Sequence, residues 1–177
     1  MRSWGALAGL ALSLAAAGCA EPGRSPRDSD IAPLENGHRL MAAGEFESAR
    51  DAYLLAATRD GLTADVLAGI GSADLHLGRL GQAERWLRLA VRKDPDFVPA
   101  WNNLGVVLME KGEYGEASEA FRRAFALDSG SSDTIRDNLR LALARMEDPA
   151  YTGINETEEV QLIGWGLESR PLVEEPL

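Results

Sequence analysis

The feature that most constrains this chain is a self-similarity that returns every 34 residues. Gly71 and Gly105 are one period apart; Gly44, Gly78 and Gly112 keep the same step, as do Ala49, Ala83 and Ala117. So do Tyr53, Leu87 and Phe121, and likewise Ala56, Ala90 and Ala124. The period divides the chain into units at 30–63, 64–97 and 98–131. One such unit holds two short helices and cannot bury its apolar face alone, so successive units must stack. Small residues at Gly71, Gly105, Ala83 and Ala117 let paired helices approach closely, and Trp101 and Phe121 fill the space beside them. Gly78 and Gly112 fall where the chain reverses and a left-handed backbone is needed. Pro95 marks a boundary between units, and Asp96 with Pro99 predicts a helix start.

The third unit carries Trp101, Leu104, Gly105, Leu108, Gly112, Ala117, Phe121 and Ala124, and it resembles the tetratricopeptide repeat (TPR). The second keeps Leu67, Ile70, Gly71, Ala83, Leu87, Ala90 and Pro95. The first departs in its first helix, with Pro33 and Asn36 where bulky residues are expected. A fourth unit begins with the cap residues Ser131, Ser132 and Asp133 and an apolar stripe of Ile135, Leu139, Ala142 and Met146; Asp148-Pro149 ends it. The resemblance implies an all-α fold, a TPR helical-hairpin solenoid spanning 30–147, with three repeats and a solvating helix at 132–147.

Residues 1–18 have a different character. Arg2 precedes an uncharged run from Ser3 to Ala20, built mainly of Ala, Leu and Gly. A basic start, an apolar middle and small residues before Cys19 read as an export signal, outside the fold. Ala17-Gly18-Cys19 resembles the end of a bacterial lipoprotein signal, although Ala16 stands where that family usually has Leu. The resemblance implies cleavage before Cys19 and acylation of that residue, a lasting anchor once more than one chain is attached. Ala20 follows the cysteine where Asp would favour inner-membrane retention, so an outer-membrane lipoprotein facing the periplasm is expected. An uncleaved transmembrane segment and a soluble periplasmic form remain the alternatives. Residues 19–29 then supply the lipidated Cys and a flexible tether, rich in Pro, Gly and Ser.

The formal charge of −10 argues against sequence-independent binding to nucleic acid, which requires a basic face. Nor does catalysis find its parts. Cys19 is the single cysteine and is committed to the anchor; His38 and His76 fall in different repeats without neighbouring ligand types; the glycines follow the repeat period instead of forming a phosphate loop. No enzyme activity, metal or cofactor is expected.

In the TPR family the first helices of successive repeats line a concave groove for a protein or peptide segment. Equivalent positions here are Leu34, His38 and Met41; Ala68, Ser72, Leu75 and His76; Asn102, Asn103, Val106 and Met109; and Arg136 and Arg140 from the cap. Some relatives clamp a C-terminal carboxylate with Lys, Arg and Asn. Asn103 matches one of those positions, but Ala68, Ser72, Asp133 and Asp137 occupy the places of the basic partners. An apolar or amphipathic segment is therefore the expected ligand. Met41, Leu75, Val106 and Met109 equally suit packing between helices.

The tail, 148–177, leaves the period. Glu156, Glu158 and Glu159 precede Val160-Gln161-Leu162-Ile163-Gly164-Trp165-Gly166-Leu167, an apolar run flanked by glycines that suits one strand. A lone strand is unstable, so it must dock on the repeats, pair with a partner or stay disordered. Docking of Trp165 in the groove would set the tail against a ligand. The signal, the repeats, the closing 138–144 helix and the Met146–Tyr151 exit together are similar to TadD-type lipoproteins of the tight-adherence (Flp) pilus machinery. That resemblance implies a non-catalytic role in assembling the pilus secretin. A general outer-membrane or cell-wall assembly scaffold, or a soluble periplasmic chaperone-like adaptor, are the other readings of the same residues.

Overall fold

The computed structural model describes residues 32–148 and 162–163. The expected signal, Cys19 and the tether lie outside the described residues, as does Trp165. Among the described residues there are seven helices and no strand: α1 (Pro33–Ala43), α2 (Phe46–Asp60), α3 (Ala64–His76), α4 (Leu80–Lys93), α5 (Val98–Glu110), α6 (Tyr114–Leu127) and α7 (Asp133–Glu147).

The turns inside the three hairpins are copies of one another. Gly44, Gly78 and Gly112 take φ of 78°, 69° and 76°. The residue after each glycine donates back to the helix it leaves: Glu45 to the Leu40 carbonyl at 3.0 Å, Arg79 to Asp74 at 2.8 Å and Glu113 to Leu108 at 2.8 Å. These bonds satisfy carbonyls that a helix end otherwise leaves open, and glycine enters the left-handed region without a side-chain clash. Helix starts are more varied. Thr63 and Ser132 cap α3 and α7 by accepting from the Val66 and Ile135 amides. Pro33 and Pro99 occupy first-turn positions of α1 and α5. Phe97 holds the N-cap position of α5 without a side-chain capping bond, while Asp96 donates its amide to Asp94 in the preceding turn.

Each hairpin closes by a large side chain seated on a glycine. A Cβ added at Gly37, Gly71 or Gly105 would lie 2.5 Å from Tyr53, 2.7 Å from Leu87 and 2.5 Å from Phe121 respectively. The three large residues are fully buried. Gly37 is one period before Gly71, so the first repeat keeps this contact even though Pro33 and Asn36 have replaced bulky residues. Burial raises the Tyr53 phenol well above its ordinary pKa, with the charge of Asp65 adding to the shift.

Two apolar clusters run along the stack. One joins α1 to α3 around Met41, Tyr53 and Ile70; the other joins α3 to α7 around Leu87, Leu104, Phe121 and Leu141, and Trp86 packs against both. The buried stripe of α7 is Ile135, Asn138, Leu141 and Ala142; Met146 is exposed and Leu139 half-buried. Each helix packs on the next, and α1, α3, α5 and α7 also touch in succession, with no comparable contact among the even-numbered helices. The odd helices are therefore the inner layer of a curved stack, where concave-face residues must be sought.

Candidate functional site

The inner layer carries a connected row of buried polar side chains. Asn102 and Asn103 are consecutive on α5, so their side chains leave the helix about 100° apart and reach different neighbours. On one side, Asn138 of α7 donates to Asn102 Oδ1 at 2.9 Å. On the other, Asn103 donates to Ser72 Oγ of α3 at 3.0 Å. Asn102 itself donates to Asn103 Oδ1 at 3.2 Å, which links the two halves. All four residues are at most 2% exposed, so these bonds meet the requirement that a buried amide find partners.

Leu162 and Ile163 lie over this row. Asn103 donates to the Ile163 carbonyl at 3.2 Å, and the Ile163 amide donates to Asn103 Oδ1 at 3.0 Å. One side-chain amide thus grips both main-chain polar groups of a single residue. Asparagine offers two donor hydrogens and two acceptor lone pairs. Asn103 uses all four: on Ser72, Asn102 and, twice, Ile163. Leu162 is buried in the same apolar cluster as Ala68, Leu75, Val106 and Met109.

The other residues expected to line the groove are distributed as follows. Met41, Ala68, Ser72, Leu75, Val106 and Met109 are all buried, the apolar ones within the two clusters. Leu34 packs half-buried against the first cluster. His38 is tilted against Tyr53 and lies 3.4 Å from Asp65 across the α1–α3 contact. His76 stacks on Phe46 of α2, with ring centroids 4.1 Å apart and planes 2° from parallel; burial lowers its pKa to about 4. Arg136 and Arg140 are exposed and pair along their own helix with Asp133 and Asp137. What the fold brings together is therefore Ser72, Asn102 and Asn103, with apolar neighbours around them. The histidines and the α7 arginines make other contacts. Among the described residues no group of three His, Cys, Asp or Glu side chains could hold a metal, and no helix is long and apolar enough to cross a membrane.

Two elements of this region escaped the sequence reading. Asn138 completes the polar row, and its position three residues from both Ile135 and Leu141 puts it on the buried face. Asp74, fully buried near the end of α3, is held by Arg50 of α2 at 2.7 Å and by Arg79, in the turn that leads into α4, at 3.4 Å. These two ion pairs tie α2, α3 and the turn before α4 together. Nothing in local pattern distinguishes Asp74 from a solvated helical carboxylate.

Comparison with known proteins agrees with the geometry. Two models, both described as tetratricopeptide repeat, match residues 34–97 and 98–131. A fungal relative, small glutamine-rich tetratricopeptide repeat-containing protein 2 of Mycosarcoma maydis, is 24% identical over 135 residues. The match takes in 74% of this chain but 38% of the relative's length. Among solved structures, the Sgt2 TPR domain of Aspergillus fumigatus is similar with a TM-score of 0.63 and 24% identity, over 71% of this chain and 82% of that one. The first TPR of Spaghetti (RPAP3), bound to the HSP90 peptide SRMEEVD, gives 0.61 and 20%, over 66% of this chain and 91% of its own. At these identities the structural likeness speaks for the fold.

Proposed function

We propose, given that this chain belongs to the tetratricopeptide-repeat family, that its concave face binds an extended segment of a protein partner and that it performs no catalysis. One observation carries the reading: Asn103 bonds to both the main-chain carbonyl and the amide of one non-helical residue above a buried polar row. Recognition through the main chain accepts a segment by its extended form, and apolar recesses beside it select alternate side chains. A solved protein of the same fold likewise holds a peptide.

The partner and place follow from the ends of the chain. The export signal and Cys19 support a bacterial-envelope lipoprotein facing the periplasm and held at the outer membrane. The 138–144 helix and the Met146–Tyr151 exit support a tight-adherence pilus role, with the secretin as the bound protein. The groove is tested by titrating secretin-derived peptides against chains in which Leu162→Asp/Ile163→Pro clears Asn103 of its present partner, with and without Asn103→Ala, after checking by circular dichroism that both fold. Binding should weaken at least about tenfold, the loss of roughly 1.4 kcal/mol expected for hydrogen bonds to a buried amide; equal affinities would overturn the reading. Metabolic labelling with palmitate tests the anchor, with label expected in the wild type and absent in Cys19→Ala. Secretin multimers that survive deletion of the gene would refute the pilus role.

A further inference from the structure

We propose that the chain's own Leu162–Ile163 is a self-ligand: it occupies the concave site in cis, and a partner engages that site only by displacing it. This rests on the groove reading above and adds to it the identity of the resident segment and the chemistry a competitor must match.

Three observations support it. First, Asn103 fills its hydrogen-bonding capacity only with Ile163 in place, since Ser72 and Asn102 take one donor hydrogen and one lone pair. The two sites left face a main-chain carbonyl and amide, the pair any extended non-proline residue presents. Second, Leu162 is 6% exposed and belongs to the apolar cluster of the repeats, so the segment is seated by a side chain as well as by its backbone. Third, the hold on the described segment is small: two hydrogen bonds to one residue and one buried leucine. A segment held so is exchangeable. It must also be favoured over free competitors by its covalent attachment, since thirteen residues separate Asp148 from Leu162 and short tethers give effective concentrations on the order of millimolar.

The geometry also defines the displacing segment. Its residue above Asn103 must carry an N–H, which excludes proline, and an apolar side chain of about leucine size must precede it. Side-chain identity at the Ile163 position matters less, because both hydrogen bonds with Asn103 are made by that residue's backbone.

The test uses the full chain and a fluorescein-labelled peptide of residues 158–168 as the probe in trans, read by anisotropy. Wild type should exclude the peptide, whereas Leu162→Asp/Ile163→Pro, which removes the buried leucine and the Ile163 N–H, should bind it at least about tenfold more tightly. Adding Asn103→Ala to that variant, or proline at the Ile163 position of the probe, should abolish the gain. Both tail substitutions lie outside the seven helices, and an unchanged melting transition confirms the fold. Equal affinity of wild type and tail variant shows an open site and overturns self-occupation, yet leaves the groove reading standing because the peptide still binds. Binding to neither chain also overturns it. Hydrogen exchange gives an independent arm: the Ile163 amide should be protected in wild type and lose at least about tenfold protection in Asn103→Ala. Unchanged protection overturns the assignment. Failure of the groove reading is separate: partner-peptide affinity would then be indifferent to Asn103→Ala in the Leu162→Asp/Ile163→Pro background, where no tail competes.

Discussion

Substituting Gly105→Ala adds a single methyl group at the closest helix approach in the third repeat. The new Cβ would lie 2.5 Å from Phe121 Cε1 and 2.7 Å from both Cδ1 and Cζ. Carbon atoms in contact settle at about 3.5–4.0 Å, so roughly 1 Å of overlap must be relieved against three ring atoms at once. Phe121 is fully buried and cannot swing aside, so α5 and α6 must part. Such overpacking costs about 2–3 kcal/mol, and alanine's better helix propensity returns about 0.5–1. The net loss is about 1–2.5 kcal/mol, which in a folded region of this size lowers Tm by roughly 4–12 °C. Gly115→Ala is the control, because a Cβ there meets nothing within 4 Å, and it should leave Tm unchanged or raise it slightly. Thermal melting followed by circular dichroism measures both. If Gly105→Ala melted as high as Gly115→Ala, the idea that a glycine sets the spacing of α5 and α6 would be wrong. With it would go the account of how Asn102 and Asn103 are positioned.

Arg50→Met should cost about 2–3 kcal/mol in urea unfolding, since fully buried Asp74 is left with Arg79 at 3.4 Å; adding Asp74→Leu should recover much of it, and full additivity would refute the coupling. Asn138→Leu removes the donor to buried Asn102 Oδ1 and should cost about 1–3 kcal/mol with an unchanged m-value. His76 titrates at about 4 in the fold because burial disfavours its charged form, against about 6.5 unfolded. The unfolded chain thus binds the extra proton first: the contribution of His76 is complete above about pH 6.5 and is lost as pH falls toward 4. Allowing for the ring's partial exposure, on the order of 2 kcal/mol is at stake. His76→Phe should remove that slope between pH 6.5 and 5 while keeping a stack on Phe46; an identical pH profile would refute the assignment.

What could be read from the chain follows the range of the interaction. The hairpin turns were legible because a left-handed glycine and the bond from the following residue involve six consecutive positions. The α7 stop at Asp148-Pro149 and the Ser132 cap were legible for the same reason. The apolar stripe of α7, read as Ile135, Leu139, Ala142 and Met146, was right for Ile135 and Ala142, whereas Asn138 and Leu141 are buried in place of Leu139 and Met146. Leucine at 139 or 141 satisfies a helical period equally, and only the packing of α7 on α6 decides between them. Gly37 was available to a reader of the period but hidden by the irregular residues around it.

The site divides the same way. Asn102 and Asn103 could be placed on the inner face from the repeat register, and Ser72 with them. Their partners could not, because the bonds join residues 31, 36 and 60 positions apart. By itself, then, the sequence determined seven helices, their turns and the spacing of three repeats, all consequences of local backbone preference and a periodic choice of small and large side chains. The tertiary structure alone decided that Asn138 completes the polar row, that Asp74 is buried between two arginines, and that Ile163 lies on Asn103. Those choices depend on which distant groups are brought within 3.5 Å once water is excluded, and local sequence carries no information about that.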